Sequence, residues 1–521
     1  MIGPIDVRAS AHRTLTPLAG ATLDGGYWAA LQRLNRERLL PDAPRRLEAA
    51  GNFENLRAAA GRSDAGYRGP VFMDSDVYKW LEAVGWELAR EPSPELAASA
   101  DAAIELIEAA QGADGYLNSY YQVAAPGERY ANLAWDHELY CAGHLIQAAV
   151  AHARGRGDER LLAVARRFAD QLDGVFGPGR RDGAPGHPEI ELALVELARL
   201  TGERRYLELA RRFVDARGRA TLQPARFGSS YFQDRVPVRE QDEVEGHAVR
   251  ACYLGAGVTD VYLETGEPAL LAAMRAQWHD MAARKAYLTG GIGAHHLDEA
   301  FGDAFELPPD RCYGETCAAI ASVLWSWRLL LATGEARYAD LLERTLYNGV
   351  MVGLALDGGG FSYANPLHVR DGHRDPVEIG AERRPWRAGE RLRLALELAP
   401  RLVFPHPRID AVRGCAAIER GPLVYCVEAA DLPAGVGVDE LALDPGGELR
   451  AVAREDLLGG IVAIGAAAAR RGALADAPWP YAPVPGALAD GEVELALLAV
   501  PYSHWGNRGA GAMRVWLPLA D

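Results

Sequence analysis

Apolar residues recur at three- and four-residue spacing through the first 350 or so positions, the mark of helices with a buried face. The pattern predicts helices over SDVYKWLEAVGWELAR (75–90), PELAASADAAIELIEAAQ (94–111), HELYCAGHLIQAAVAHARG (137–155), DERLLAVARRFADQLDGVFG (158–177) and HPEIELALVELARL (187–200). It continues over HAVRACYLGAGVTDVYLE (247–264), PALLAAMRAQWHDMAARKAY (268–287) and ETCAAIASVLWSWRLLLA (315–332). The joints repeat. LTGERRYLELA (200–210), ETGEPALLAAM (264–274) and ATGEARYADLL (332–342) each read helix, Thr-Gly-Glu, helix, and ARGRGDERLLA (153–163) is a looser copy. Gly202, Gly266 and Gly334 are placed to end a helix in the left-handed conformation. Recurring helical hairpins predict stacked αα units, closed as an α/α toroid or open as a solenoid. After about residue 387 the pattern changes. RLRLALELAPRLVF (391–404), AAIERGPLVYCVEA (416–429), VELALLAVPY (493–502) and AMRVWLPL (512–519) alternate, or run apolar between Gly, Pro and Asp. That predicts strands and a β-sandwich. The expected division is an α/α-barrel domain over 1–386 and a β-sandwich domain over 387–521.

Composition narrows the function. The chain has 521 residues, 49% of them apolar and 24% charged, which excludes a disordered or fibrous protein. No run approaches about 18 consecutive apolar residues, so no membrane span is expected. The first twenty residues hold no continuous apolar core of a leader peptide, and a cytoplasmic location is expected. A net charge of −16 argues against a grip on nucleic-acid phosphates or an anionic membrane. Six cysteines with no Cys-x-x-Cys pair read as free thiols. Cys141, Cys252, Cys312, Cys415 and Cys426 read as core residues.

Candidate chemistry gathers at glycines and in one long loop. His144 in CAGH, His187 in PGHPE and His247 in EGHAV each follow a glycine near a helix start or end, and His137 opens HELY. A buried histidine is ordinarily a satisfied core residue. Three Gly-His pairs at related points of repeated hairpins instead suggest a shared cavity, where the small glycine lets a ligand approach the backbone and neutral imidazoles bond sugar hydroxyls. The loop TGGIGAHHLDEAFGDAFELPPDRCYG (289–314) is too long and too polar to be a simple connector. It carries Glu299 and Glu306, with Glu315 just beyond, and burial would suit such carboxyls to general acid work. Glu315 and Cys317 place an oxygen and a sulfur two residues apart, a spacing open to zinc chelation or to a core thiol.

With these blocks the chain resembles glycoside hydrolase family 127, the β-L-arabinofuranosidases. The similar stretches are DGGYWAALQRLNRE (24–37), GNFENLRAAAG (51–61), FMDSDVYKWLEA (72–83), HELYCAGHLIQAAVAH (137–152), GHPEIELALVELARLTGE (186–203) and EGHAVRACYL (245–254). TGGIGAHHLDEAFGDAFELPPDRCYGETCAA (289–319), FSYANPLHVRDGH (361–373), ERGPLVYC (419–426) and VPYSHWGNRGAGAMRVWL (500–517) continue the series. The resemblance implies a retaining exo-glycosidase with an α/α barrel and C-terminal β-sandwich, acting on terminal arabinofuranosyl groups of an oligosaccharide or glycoconjugate. It implies Glu299 as general acid/base and Glu315 and Cys317 as zinc ligands. It implies His144, His187, His247 and Tyr363 as sugar-lining residues. A homodimer is admitted; nucleic acid and membrane are not partners.

The chain departs from the family at one point. There, NPL is followed by a tryptophan and a Cys-Cys-Pro-Pro-Asn run, which supplies two zinc ligands, one of them the nucleophile. Here the chain reads RRPWRAGERLRLAL (383–396), joining at Trp386–Arg387. The cysteine pair, the last barrel helices and the first sandwich have no counterpart, so the barrel is expected to be incomplete and the nucleophile is unassigned. The alternative function is a sugar-binding relative without turnover. A third reading is another α/α-toroid enzyme, such as a sugar epimerase, which needs no zinc.

Overall fold

The computed structural model describes residues 3–18, 20–222, 226–370, 398–470 and 493–520. The junction at Trp386–Arg387, and with it the expected domain boundary, lies outside them. Contacts divide the chain into two compact units. One comprises Met1–Asp24, Leu31–Met281 and Ala321–Ala339, the other Gly25–Ala30, Ala282–Ile320 and Asp340–Asp521.

The first unit is an α/α domain of helix pairs. Asp74–Arg90 pairs with Pro94–Ala110, Glu138–Arg156 with Arg160–Phe176, Ile190–Thr201 with Arg204–Ala216, and Ala248–Thr265 with Pro268–Asp280. The first members of these pairs pack on one another and are buried on nearly every side. Their partners are amphipathic: Arg204–Ala216 buries Tyr206, Leu207, Leu209, Ala210, Phe213 and Val214 along one stripe. The Thr-Gly-Glu joints have one mechanism. The threonine hydroxyl bonds back to the carbonyl four residues earlier (Thr201 to Leu197, Thr265 to Val261 and Thr333 to Leu329, each 2.8 Å). It also accepts the N–H of the glutamate two residues on. The glycine between them turns the chain at φ of +76°, +68° and +70° in the three joints.

Buried ion pairs tie these helices together. Asp260, wholly buried, takes Arg199 at 2.8 Å and Arg328, and Arg199 also meets Glu196 and Glu264. Arg328 lies on Thr316–Thr333, which is long and apolar enough by composition alone to cross a membrane, with mean hydropathy 1.4 over 18 residues. In the fold its Trp325 and Leu329 are wholly buried and its one arginine is neutralised, as in a core helix.

The second unit is rich in antiparallel strands. His368–Val369, Met513–Arg514, Leu423–Glu428, Val493–Pro501, Ile461–Arg470 and Leu441–Leu443 pair in that order. Cys415–Arg420 joins Leu423–Glu428, Pro400–Val403 and Leu517–Pro518, and Arg450–Arg454 joins Ile461–Arg470. Alternate side chains feed two apolar clusters. Ala417, Val424, Cys426, Ala463, Val500 and Met513 enter one. Ala416, Ile418, Tyr425, Val427, Ile464, Leu497 and Ala499 enter the other. Strands covered on both faces read as apolar runs, which is why alternation is faint in the sequence.

The long loop at 289–314 belongs to this second unit. Tyr287, Ala294, Leu307 and Cys312 join the first of the two strand clusters. Backbone bonds run from Leu367 N–H to the Pro309 carbonyl (2.9 Å) and from Asn365 N–H to that of Tyr313 (3.0 Å). Apolar burial and backbone pairing therefore order a loop whose composition is polar.

Candidate active site

In the helical unit the predicted histidines converge. The ring of His187 lies 5.5 Å from that of His137, 5.9 Å from His247, 4.4 Å from Tyr140 and 6.0 Å from Tyr253. His144 meets Tyr140 edge-on at 4.5 Å and Tyr253 at 6.3 Å. Of the three histidines that follow a glycine, two sit near a helix start, as expected, and His144 does not. His247 caps the helix Ala248–Thr265, its Nδ1 accepting Arg250 N–H at 3.4 Å. His187 precedes a helix by three residues, whereas His144 sits inside Glu138–Arg156, whose N-cap is His137.

The glycines also act otherwise than expected. A Cβ on Gly143 would lie 2.5 Å from Glu189 Cγ, one on Gly186 2.0 Å from the Ala134 carbonyl, and one on Gly246 2.2 Å from that of Ser230. What approaches these glycines is the protein's own chain, not a ligand. The Gly-His pairs recur because close packing brings three separate segments to one place.

Arg250, which sequence reasoning missed, draws those segments together. Its guanidinium donates to the carbonyls of Gly186 (2.8 Å) and Ala134 (3.3 Å) and lies over the rings of Trp135, Tyr231 and Phe232. Burial holds His187 well below the usual histidine range, and the charge of Arg250 adds to this. His137 is pushed down to about 3 by burial and Arg250, and burial also lowers His144. These imidazoles are neutral at pH 7 and present one donor and one acceptor each, a chemistry suited to sugar hydroxyls.

In the second unit the predicted acids converge as well. Glu299 stands in the left-handed region at φ +56°, which a β-carbon ordinarily disfavours, and its Oε1 accepts the Tyr313 hydroxyl at 2.7 Å. Glu299 and Glu315 bring carboxylate oxygens within 4.8 Å of one another, close enough to share a cation. Glu315 is 2% exposed, and its carboxyl is pushed up to about 7 by burial and by the charge of Glu299. The Tyr363 hydroxyl and the Cys317 thiol offset part of that rise. The position of Glu315 is set by its neighbours. Thr316 N–H donates to the Tyr363 carbonyl (3.0 Å), and the Asn365 amide donates to the Gly314 carbonyl (2.8 Å) and Thr316 Oγ1 (3.0 Å). Tyr502 in turn donates to the carbonyls of Asn365 and Pro366. Glu306 stands apart, bonded to His295 at 3.0 Å. Cys317 is the exposed cysteine; the other five are buried, as expected.

The chain is similar to known proteins over most of its length. The profile described as β-L-arabinofuranosidase, GH127 catalytic domain, matches residues 21–388. That of the glycoside hydrolase family 127 C-terminal domain matches 400–518. The non-reducing end β-L-arabinofuranosidase of Bifidobacterium longum subsp. longum is 33% identical over 602 residues, covering 89% of this chain and 91% of the relative. That alignment is longer than the 521 residues here, so the relative carries chain with no counterpart in this one. A crystal structure of a GH127 β-L-arabinofuranosidase from Geobacillus stearothermophilus T6 superposes with a TM-score of 0.88 at 31% identity, covering 96% of this chain and all of that one. A second GH127 β-arabinofuranosidase gives 0.83 at 28% identity, covering 96% of each.

Proposed function

The chain belongs to glycoside hydrolase family 127, and on that premise we propose that this glycoside hydrolase removes terminal β-L-arabinofuranosyl groups from oligosaccharides or glycoconjugates. The observation that supports the reading most directly is the Glu299–Glu315 pair, buried to different depths and tuned differently by Tyr313, Tyr363 and Cys317. Glu299 protonates the leaving oxygen as its bond to the anomeric carbon breaks, and it regains a proton from the water whose oxygen ends on that carbon. The Tyr313 hydroxyl holds its carboxyl in one orientation through both steps. His144, His187 and His247 bond the sugar hydroxyls, and Tyr140 and Tyr253 supply ring faces beside them.

Zinc is tested by its donors. Glu315 Oε2 is buried without a hydrogen-bond partner among the described residues, and the Cys317 thiol bears on the same carboxyl. Zinc takes four ligands, or three and an open position. Cys312, Cys415 and Cys426 are packed into the strand core, and burial raises the thiols of Cys141 and Cys252. Among the described residues the thiolate-rich set implied by the resemblance is therefore not completed.

Hydrolysis of a chromogenic β-L-arabinofuranoside by the 521-residue chain, with and without added zinc, tests the reading. Turnover is expected, with Glu299→Gln losing at least a hundredfold in kcat, within the range of general acid–base catalysis of about 10²–10⁴. A folded chain that binds L-arabinose without hydrolysing the arabinofuranoside would overturn it in favour of the sugar-binding reading.

A further inference from the structure

We propose that Glu189 is a positioning residue for the sugar-facing histidine His144, fixing its imidazole in the tautomer that carries the proton on Nε2. This deepens the reading above and rests on it for the identity of the ligand. His144 lies inside the helix Glu138–Arg156 and is 4% exposed. Both its ring nitrogens are buried and make no hydrogen bond among the described residues. A buried imidazole left in that state loses about 1–3 kcal/mol per unmade bond, so each nitrogen needs a partner in the working protein. Glu189 Oε1 stands 3.5 Å from Nδ1, just beyond hydrogen-bond reach, and also takes the Gln147 amide at 3.4 Å. Nε2 makes no hydrogen bond among the described residues, which leaves that nitrogen for the ligand.

The carboxyl is there by construction. Glu189 is wholly buried, and its Oε2 makes no hydrogen bond among the described residues. It reaches His144 only because position 143 is glycine, where a Cβ would lie 2.5 Å from Glu189 Cγ and 3.0 Å from its carbonyl carbon. Burial favours the uncharged form of each group: it raises the Glu189 carboxyl, with the charge of Glu82 and against the Gln147 hydrogen bond and the charges of Arg328 and Lys79, and it lowers His144. The pair is thus a carboxylic acid beside a neutral imidazole. The acid O–H donates to Nδ1, so the ring proton resides on Nε2 and is donated to a sugar oxygen. Tyr140, edge-on at 4.5 Å, limits rotation of the ring.

The experiment uses the full chain and two variants, Glu189→Gln and Glu189→Leu. The imidazole ¹⁵N shifts of His144, assigned by their loss in His144→Gln, read the tautomer. KM and kcat are measured on the chromogenic β-L-arabinofuranoside, and thermal melting checks folding. The wild-type chain is expected to show a single Nε2–H tautomer. Glu189→Gln, whose amide N–H can donate to Nδ1, should keep it with KM within about threefold. Glu189→Leu should give mixed tautomers and raise KM about tenfold, the weight of one hydrogen bond, with kcat changed less than threefold. A wild-type Nδ1–H tautomer would overturn the proposal. So would a folded Glu189→Leu with unchanged shifts and KM, or a folded Glu189→Gln as impaired as Glu189→Leu. The ¹⁵N shifts are read whether or not the chain turns over, so failure of the hydrolase reading is told apart from failure of this one.

Discussion

Glu315→Gln is expected to stabilise the protein in alkaline solution and to leave it nearly unchanged in acid. In the folded chain the Glu315 carboxyl is pushed up to about 7 from an ordinary 4.5, first by burial and then by the charge of Glu299. A carboxyl raised in the folded state contributes stability below pH 4.5, and that contribution is lost as pH rises to 7. The rise from 4.5 to about 7, at about 1.36 kcal/mol for each tenfold change in proton affinity, means that the ionised side chain costs about 3 kcal/mol above pH 7. Glutamine is neutral throughout and escapes this cost. Urea unfolding of both proteins at pH 5, 6, 7 and 8 measures the difference. The gap should be below about 1 kcal/mol at pH 5 and approach about 3 kcal/mol at pH 8. Groups common to both proteins, including the similarly raised Glu82 and Glu138, cancel in the comparison. In a Glu299→Gln background the gap should shrink, because one of its two causes is removed. A gap equal at pH 5 and pH 8, or a variant weaker than wild type at pH 8, would refute the assignment of Glu315 as a neutral, desolvated carboxyl near pH 7.

Three further outcomes follow from the geometry. Asp260→Asn leaves the buried guanidiniums of Arg199 and Arg328 without their shared carboxylate and should cost about 3–5 kcal/mol, read as a melting point lowered by about 6–10 °C; a loss under 1 kcal/mol would mean the network is solvated. Gly143→Ala drives a methyl into Glu189 and should destabilise by about 1–3 kcal/mol while raising KM, because two helices must separate around His144; a variant with unchanged melting and KM would show that the contact yields without consequence. Of the six thiols, Cys317 alone is exposed, so a maleimide should label one site quickly in the folded chain and all six after unfolding; fast labelling of two or more sites in the native state would contradict the burial of the others.

The helical half was legible because its signals are local. A Thr-Gly-Glu joint needs only a hydroxyl that reaches back one turn, a residue tolerant of positive φ and a donor two positions on. The same three residue types recur wherever Thr201, Thr265 and Thr333 close a helix. The strand half was legible as strands but not as pairings. Cys415–Arg420 meets three other strands, and no local pattern announces which. The unit that gathers Tyr287, Leu307 and Cys312 with Ala417 and Val500 depends on contacts more than a hundred residues apart in sequence.

At the site, the residues legible in sequence were those next to unusual neighbours, and the residues missed were those that hold them. His144, His187 and His247 stand out because a glycine precedes each. Arg250 and Glu189 do not, since an arginine three residues into a helix and a glutamate beside a proline are unremarkable among 55 basic and 71 acidic residues. Yet Arg250 ties Gly186 to the segment of His247, and the Glu189 side chain is what Gly143 admits. The glycines were a true signal with a different cause from the one first given to them. They mark where chain meets chain, and the imidazoles gather there because three packed segments each carry one to the same place. The same logic holds in the acid group. Glu315 is visible in GETC, but its proton affinity comes from burial and from Glu299, sixteen residues away along the chain and within 4.8 Å across the fold. Sequence spacing identifies which groups can do chemistry; desolvation, which only the fold supplies, sets how tightly each holds its proton.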